Sequence, residues 1–145
     1  MSNLDELYRD ILLEFYMDTS HKGELGESEH REGRNISCGD EVTLYMKHDG
    51  DRIIKASFTG DGCVVSQASA SVMAHLLEGK TLEEARRLIL NFISFMKGDT
   101  EDVSEELKIF EGVKQFPSRV KCATLAWHTA LELIEDIMKK KKKGN

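Results

Sequence analysis

Residues 41–63 read EVTLYMKHDGDRIIKASFTGDGC, and this stretch carries the clearest fold signal in the chain. Apolar and polar residues alternate over 42–46 and again over 54–58, which is the period-2 pattern typical of half-buried strands. The Asp49-Gly50 pair between the two runs has the composition of a tight hairpin turn. We therefore predict two antiparallel strands joined at this turn.

Helical periodicity surrounds the hairpin on both sides. Apolar residues three and four apart predict an amphipathic helix over 3–17 and a tightly packed helix of small residues that ends at Gly79. Thr81-Leu82-Glu83-Glu84 fits a capping box that opens a further helix, which Gly98 closes. The fold class that follows is α+β, a small antiparallel sheet packed against several helices.

Two further helices are expected in the C-terminal third. A short one is predicted over 104–111, and a long one follows Pro117, with Ser118 as its N-cap and Cys122 in its first turn. The polar, glycine-rich segment 21–35 has no clear period. Part of it could pair as an edge strand, but the pattern does not place it.

Length, charge and hydropathy exclude several classes of protein. The chain has 145 residues, which predicts a single domain over 1–145. No apolar run is long enough for a membrane span, and the charged N-terminus does not resemble a signal peptide, so we expect a cytoplasmic protein. The formal net charge of −6 argues against nucleic acid as a partner. The basic tail, 139–145, is interpreted as a solvated end of the last helix.

Three cysteines are the main candidates for chemistry: Cys38, Cys63 and Cys122. Their odd number in an apparently cytosolic chain argues against a disulfide framework. Cys63 lies where a strand gives way to a helix, and Cys122 is expected in a first helical turn. Free N–H groups at helix N-termini favour the thiolate, the form that binds metal or attacks sulfur.

Asp40 could add an oxygen ligand to these sulfurs, because Gly39 allows a turn that directs Cys38 and Asp40 toward one pocket. Three sulfurs and one oxygen would complete a tetrahedral zinc site. The wide spacing of the cysteines leaves an alternative open, in which the thiols are ordinary buried residues and Asp40 is a turn carboxylate. The five histidines have no local context that ties them to a thiol, which disfavours a Cys-His hydrolase.

Three segments taken together resemble the U-type iron-sulfur cluster assembly proteins (the IscU and NifU N-terminal-like family). The segments are Cys38-Gly39-Asp40, the stretch GDGCVVSQASAS at 60–71, and RVKCATLAW at 119–127. They occur in the family's order, and the match is closest to the SufU branch. One departure lies before the first cysteine, where Asn35-Ile36-Ser37 stands and many relatives have Pro after the Asn.

The resemblance implies a SufE/NifU-like fold and a zinc ion held by Cys38, Asp40, Cys63 and Cys122. It also implies that the protein takes persulfide sulfur from a SufS-like cysteine desulfurase, acting as a sulfurtransferase-like partner. In the IscU branch, a [2Fe-2S] cluster is built transiently with the help of a His before the third cysteine, a position that is Lys121 here. The segment 97–117 matches the insertion that marks the SufU branch.

Residue roles follow from the resemblance together with charge and chain flexibility. We expect Cys38, on the most flexible of the three segments, to be the sulfur acceptor, and Arg119 and Lys121 to contact the partner. Two alternatives stay open at this stage. One is a scaffold that assembles a [2Fe-2S] cluster and passes it to apoproteins or downstream assembly proteins. The other is a non-catalytic adaptor in which zinc is purely structural.

Overall fold

A three-stranded antiparallel sheet organises the fold. The computed structural model describes residues 3–143, with side chains from residue 4 onward. The strands are β1 (Glu29–Asn35), β2 (Asp40–Asp49) and β3 (Arg52–Thr59), in the spatial order β1-β2-β3. All neighbouring strands are antiparallel.

The predicted hairpin is confirmed as β2 and β3. Leu44 pairs with Phe58 and Met46 with Ala56, and these four side chains are buried on one face of the sheet. Tyr45 lies on the opposite, half-exposed face. The alternation of apolar and polar residues in the sequence therefore corresponds to the buried and half-exposed faces of the sheet.

The edge strand β1 comes from the segment that the sequence pattern did not place. Its sequence, EHREGRN, contains no large apolar residue, so it has no hydrophobic alternation to detect. It pairs with β2 along its whole length, from Glu29 opposite Met46 to Asn35 opposite Asp40. Arg31 also donates to Asp136 at 2.6 Å and to Glu132 at 2.8 Å, which connects the strand to the last helix.

Gly33 lets this last helix approach β1 closely. A Cβ at Gly33 would collide with Thr129 Oγ1 and would also lie 3.2 Å from Thr129 Cβ, so a rotamer change at Thr129 does not relieve the contact. We expect Gly33→Ala to lower the free energy of unfolding by about 1–3 kcal/mol, the usual cost of overpacking. Gly26→Ala is the control, because a Cβ there meets no atom within 4 Å. Equal urea midpoints for the two variants would contradict this close contact.

Within the described residues, four α-helices and one 3₁₀ helix cover the sheet. They are α1 (Asn3–Met17), α2 (Val64–Leu77), α3 (Leu82–Lys97), the 3₁₀ helix Glu105–Gln115 and α4 (Pro117–Lys143). The predicted capping box opens α3: Thr81 Oγ1 accepts from the Glu84 N–H at 3.1 Å, and Glu84 Oε1 accepts from the Thr81 N–H at 2.9 Å. No helix among residues 3–143 has the length and hydropathy needed to cross a bilayer.

The core lies where α2, α3 and α4 meet. Trp127 stacks on Phe92 with ring centroids 4.2 Å apart, and Phe92 contacts Phe110 of the 3₁₀ helix edge-on at 5.1 Å. The Trp127 indole N–H donates to Ser69 Oγ at 2.8 Å, and Ser69 donates to the Ala123 carbonyl. These buried bonds fix α2 against α4, the two helices that carry Cys63 and Cys122.

Two sequence predictions about the C-terminal third were wrong in detail. The long helix begins at Pro117, so Ser118 is inside it and is not the N-cap. Proline suits the first helical position because it has no N–H to leave unpaired. Cys122 consequently lies in the second turn. The short helix is a 3₁₀ helix that continues to Gln115.

The basic tail is helical as far as Lys143, and residues 144–145 lie outside the described part of the chain. Lys140 pairs with Glu29 at 3.0 Å, and Lys141 pairs with Asp51. Part of the tail thus contacts the sheet.

Candidate metal centre

Cys38 lies at the tip of the turn between β1 and β2. The Asn35 carbonyl accepts from the N–H of Cys38 at 3.3 Å and from that of Gly39 at 2.9 Å, which closes the turn. Gly39 adopts a φ of 73°, a left-handed conformation that favours glycine. The Cys38 side chain is exposed, and its thiol donates to the Ser118 carbonyl of α4 at 3.9 Å. An accessible thiol therefore lies against the first turn of α4.

Asp40 is the first residue of β2 and is only 3% exposed. Its Oδ1 accepts the backbone N–H of Cys63 at 3.1 Å. Its Oδ2 is buried and has no hydrogen-bond partner anywhere in residues 3–143. A buried carboxylate oxygen without a partner is costly, and a bound ion is one of the few features that explain it.

Cys63 is the N-cap residue of α2, at the strand-to-helix junction that the sequence predicted. Gly62 allows this junction to approach Asp40, since a Cβ there would collide with Ser66 Oγ and lie 2.9 Å from Asp40 Oδ1. The Glu41 N–H also donates to the Asp61 carbonyl at 2.8 Å. The start of α2 is thereby fixed beside the start of β2.

Cys122 is completely buried in the second turn of α4. Asn35 donates from Nδ2 toward Cys122 Sγ, with a donor-to-sulfur distance of 4.0 Å. Asn35 was not among the site residues predicted from the sequence. The contact joins residues 87 positions apart, so no local pattern reports it.

The pKa values of the two less exposed thiols, Cys63 and Cys122, are shifted in opposite directions. Burial raises the pKa of the Cys122 thiol well above its usual range, and contacts with Asp40 and the other two cysteines add to the effect. Burial also acts on Cys63, but hydrogen bonds from the Ser66 backbone and the Cys122 thiol outweigh it and lower the Cys63 pKa. The expected lowering of a thiol pKa at a helix N-terminus is therefore found for Cys63. The same expectation was wrong for Cys122, which lies beyond the free N–H groups of the first turn.

Three of the four predicted ligands form one compact group. The sulfurs of Cys38 and Cys122 and a carboxylate oxygen of Asp40 all lie within 4.8 Å of one another. No other His, Cys, Asp and Glu side chains in the described chain form a metal-holding group of three or more. Cys63 is outside this group, although its thiol contacts Cys122 and its N–H binds Asp40.

These donors suit a zinc ion. Thiolate sulfur together with carboxylate oxygen is a zinc-type ligand set, and a cation would give the unpartnered Asp40 Oδ2 the interaction that it lacks. The three thiols come from a turn, a helix N-terminus and a helix interior.

Arg119 and Lys121, the two predicted partner contacts, are exposed on the first turns of α4. Neither forms an ion pair with any residue in the range 3–143. Arg119 follows Ser118, whose carbonyl contacts the Cys38 thiol. The backbone of Arg119 therefore directly follows the residue that contacts the accessible sulfur.

Comparisons with known proteins agree with this description. Residues 7–144 match the family model of the NifU-like N terminal domain. The chain is 41% identical over 129 residues to the zinc-dependent sulfurtransferase SufU of Bacillus subtilis (strain 168), covering 87% of this chain and 88% of that protein. It is 37% identical over 134 residues to the iron-sulfur cluster assembly scaffold protein IscU of Thermotoga maritima, covering 90% and 94%.

Solved structures share the fold. A crystal structure of a candidate iron-sulfur cluster assembly scaffold protein for the SUF system, from Fervidobacterium islandicum AW-1, superposes with a TM-score of 0.79 at 36% identity, over 86% of this chain and 94% of that one. The N-terminal part of a NifU-like protein from Brucella abortus gives a TM-score of 0.83 at 26% identity, over 96% and 99%. The α+β class and the resemblance carried by the three cysteine motifs are both confirmed.

Proposed function

The chain belongs to the NifU-like N-terminal domain family, and on that premise we propose that it is a zinc-dependent sulfur acceptor that takes persulfide sulfur from a cysteine desulfurase for iron-sulfur cluster assembly. The similarity to a relative named zinc-dependent sulfurtransferase supports the zinc and the sulfur transfer. Sulfur transfer of this kind requires a persulfide donor, and we propose that a cysteine desulfurase is that donor. The SufS-like type of desulfurase is part of the proposal.

The observation that carries this proposal is the contrast between Cys38 and its neighbours. Cys38 is exposed on a turn, whereas Asp40 and Cys122 beside it are buried and anchored in β2 and α4. A purely structural zinc site has no need for an exposed ligand on a turn. An acceptor of sulfur from another protein needs one accessible thiol that can reach the donor.

Cys38, Asp40, Cys63 and Cys122 are the residues that hold the metal in this proposal. When bound, zinc supplies a positive charge that keeps cysteine sulfurs deprotonated and neutralises the buried carboxylate. The chain itself supplies the arrangement: Asn35 closes the turn, and Gly62 allows α2 to approach Asp40.

The transfer is a thiol-persulfide exchange at Cys38. The Cys38 thiolate attacks the outer sulfur of the donor's persulfide, and a new S–S bond forms at Cys38 as the donor's S–S bond breaks. The donor cysteine leaves as a thiolate, so charge is conserved and no external oxidant or reductant is consumed. The product is a Cys38 persulfide on an exposed turn.

Two measurements on the wild-type protein test the proposal. Elemental analysis of protein expressed with zinc available is expected to give one zinc per chain. Mass spectrometry after incubation with desulfurase and cysteine is expected to find one added sulfur atom, on the peptide that contains Cys38. Protein without stoichiometric zinc, or with zinc but no persulfide on any cysteine, would contradict the proposal; the second result favours the structural adaptor.

A cluster scaffold is the second candidate, favoured by the relatives named IscU and by three thiols that could equally hold iron. Lys121 counts against it, since the IscU branch has a His at this position. Anaerobic reconstitution followed by visible absorption and Mössbauer spectroscopy separates the two functions. A stable [2Fe-2S] spectrum without desulfurase stimulation by the zinc form would favour the scaffold.

Arg119 is proposed to orient the donor protein, with Lys121 beside it. We expect Arg119→Ala to keep its fold and zinc but to lose most of its desulfurase-dependent sulfur acceptance, and the wild-type interaction to weaken as salt rises. Lys139→Ala is the control, because Lys139 is also exposed on α4 but lies far along the helix. Loss of zinc or an early thermal transition in Arg119→Ala would make Arg119 a structural residue.

A further inference from the structure

A groove of about 480 Å³ lies between α1, the 3₁₀ helix and the start of α4. Its lining is mainly apolar and includes Leu12, Val65, Ile109, Val113, Phe116 and Arg119. The lining also includes three charged residues, Asp5, Arg9 and Arg119, and a concave, mainly apolar surface with a few charged groups is typical of a recognition site for an amphipathic ligand.

The groove adjoins the metal centre. Val65 is two residues after Cys63, and Arg119 is next to Ser118, whose carbonyl contacts the Cys38 thiol. The groove and the metal centre are therefore built on the same two chain segments, the start of α2 and the start of α4. The 3₁₀ helix of the 97–117 segment forms one wall of the groove.

Phe116 and Arg119 indicate the chemistry of the occupant. Phe116 is 57% exposed, and its carbonyl accepts the N–H groups of Arg119 at 2.8 Å and Val120 at 3.0 Å, which fixes its backbone at the start of α4. An exposed aromatic ring at the rim of an apolar groove is a common feature of protein-binding surfaces. Arg119 has no ion pair within the described residues, so it can pair with an incoming carboxylate.

We propose that this groove docks a segment of the sulfur-donor protein that presents a bulky apolar side chain followed by an acidic residue. The apolar side chain packs against Phe116 and Val113, and the carboxylate pairs with Arg119. This inference rests on the proposed function and adds the surface and the partner chemistry to it. Binding of a second copy of this chain in the groove is the competing outcome that the measurements below distinguish.

The apolar contact is tested by comparing Phe116→Ala with Ile54→Ala. Ile54 is 54% exposed and lies on β3 near the hairpin turn, at the opposite end of the sheet from Asp40. In titrations against a cysteine desulfurase that the wild-type protein stimulates, we expect Phe116→Ala to raise the half-saturating concentration about tenfold. Ile54→Ala is expected to match the wild type. Both proteins are checked for zinc content and thermal midpoint.

The charge requirement is tested by a substitution that leaves the packing of Phe116 intact. Gln115 is exposed on the groove wall, so Gln115→Lys adds a positive charge where the acidic residue is expected to dock. We expect it to lower the half-saturating concentration severalfold at low salt and to lose this gain as salt is raised. Asp49→Asn adds the same charge at the far end of β2, roughly 30 Å along the strand, and is expected to have no effect.

The outcomes of these experiments distinguish failure of the proposed function from failure of the groove assignment. If the wild-type protein accepts no sulfur, both the proposed function and the groove assignment fail. If the wild-type protein accepts sulfur but Phe116→Ala and Gln115→Lys behave like their controls, only the groove assignment is overturned. It is also overturned if Phe116→Ala alters only the oligomeric mass of the protein on its own, since the groove would then be a self-association surface.

Discussion

Replacement of Cys38 by Ala is expected to give a folded protein that no longer accepts sulfur. Cys38 is exposed on a turn, and its sulfur makes only weak contacts, with the Ser118 carbonyl and the Cys122 thiol, so the free energy of unfolding of the metal-free protein should change by less than about 0.5 kcal/mol. Its removal leaves only the half-buried thiol of Cys63 at the start of α2, because Cys122 is fully buried.

The measurement for this variant is mass spectrometry of persulfide after incubation with desulfurase and cysteine. The signal is expected to fall to background in Cys38→Ala and to stay at the wild-type level in Ser37→Ala, which changes an exposed neighbour in the same turn. Chelator-treated samples of both variants are compared for thermal stability. Undiminished labelling of Cys63 or Cys122 in Cys38→Ala would assign the acceptor role to another cysteine.

Asp40→Asn is expected to be at least as stable as the wild type without metal, and less stable than the wild type with zinc bound. Asn is close to Asp in size and keeps an oxygen that can accept the Cys63 N–H, but it removes a buried charge with an unpartnered Oδ2. Without metal, the neutral side chain relieves a desolvation penalty, so the variant should be at least as stable as the wild type.

With zinc, the wild type is expected to be the more stable protein. A ligand at 100 times its dissociation constant adds about 2.7 kcal/mol to the free energy of unfolding, and each tenfold loss of affinity removes about 1.4 kcal/mol of that gain. Thermal scans with chelator and with zinc measure both states. Asp61→Asn is the control, since Asp61 is exposed at the same edge of the sheet. Equal zinc stabilisation of wild type and Asp40→Asn would remove Asp40 from the ligand set.

Elements with an apolar period were predictable from the sequence, and elements without one were not. The hairpin of β2 and β3 alternates because one face packs on the core, and α3 carries its own capping box. Strand β1 is polar throughout and is held by pairing with β2 and by Arg31, which no single-sequence pattern reports.

The candidate site was predictable to a similar extent. The motifs identified Cys38, Asp40 and Cys122, whose donor atoms the fold brings together. The environment of Cys122 was misjudged because Pro117 starts α4 earlier than expected, which moves the thiol into the buried second turn. Asn35 and the groove were missed because both depend on contacts between distant segments.

The separation of the three cysteines along the chain also affects how the protein matures. Cys38 and Cys122 are 84 positions apart (122 − 38), so their sulfurs meet only after a long loop has closed and α4 has docked across β1. During synthesis, Cys122 emerges after most of the core residues. The complete donor set thus exists only in chains that have finished folding, and metal loading becomes a late checkpoint that separates mature molecules from immature ones.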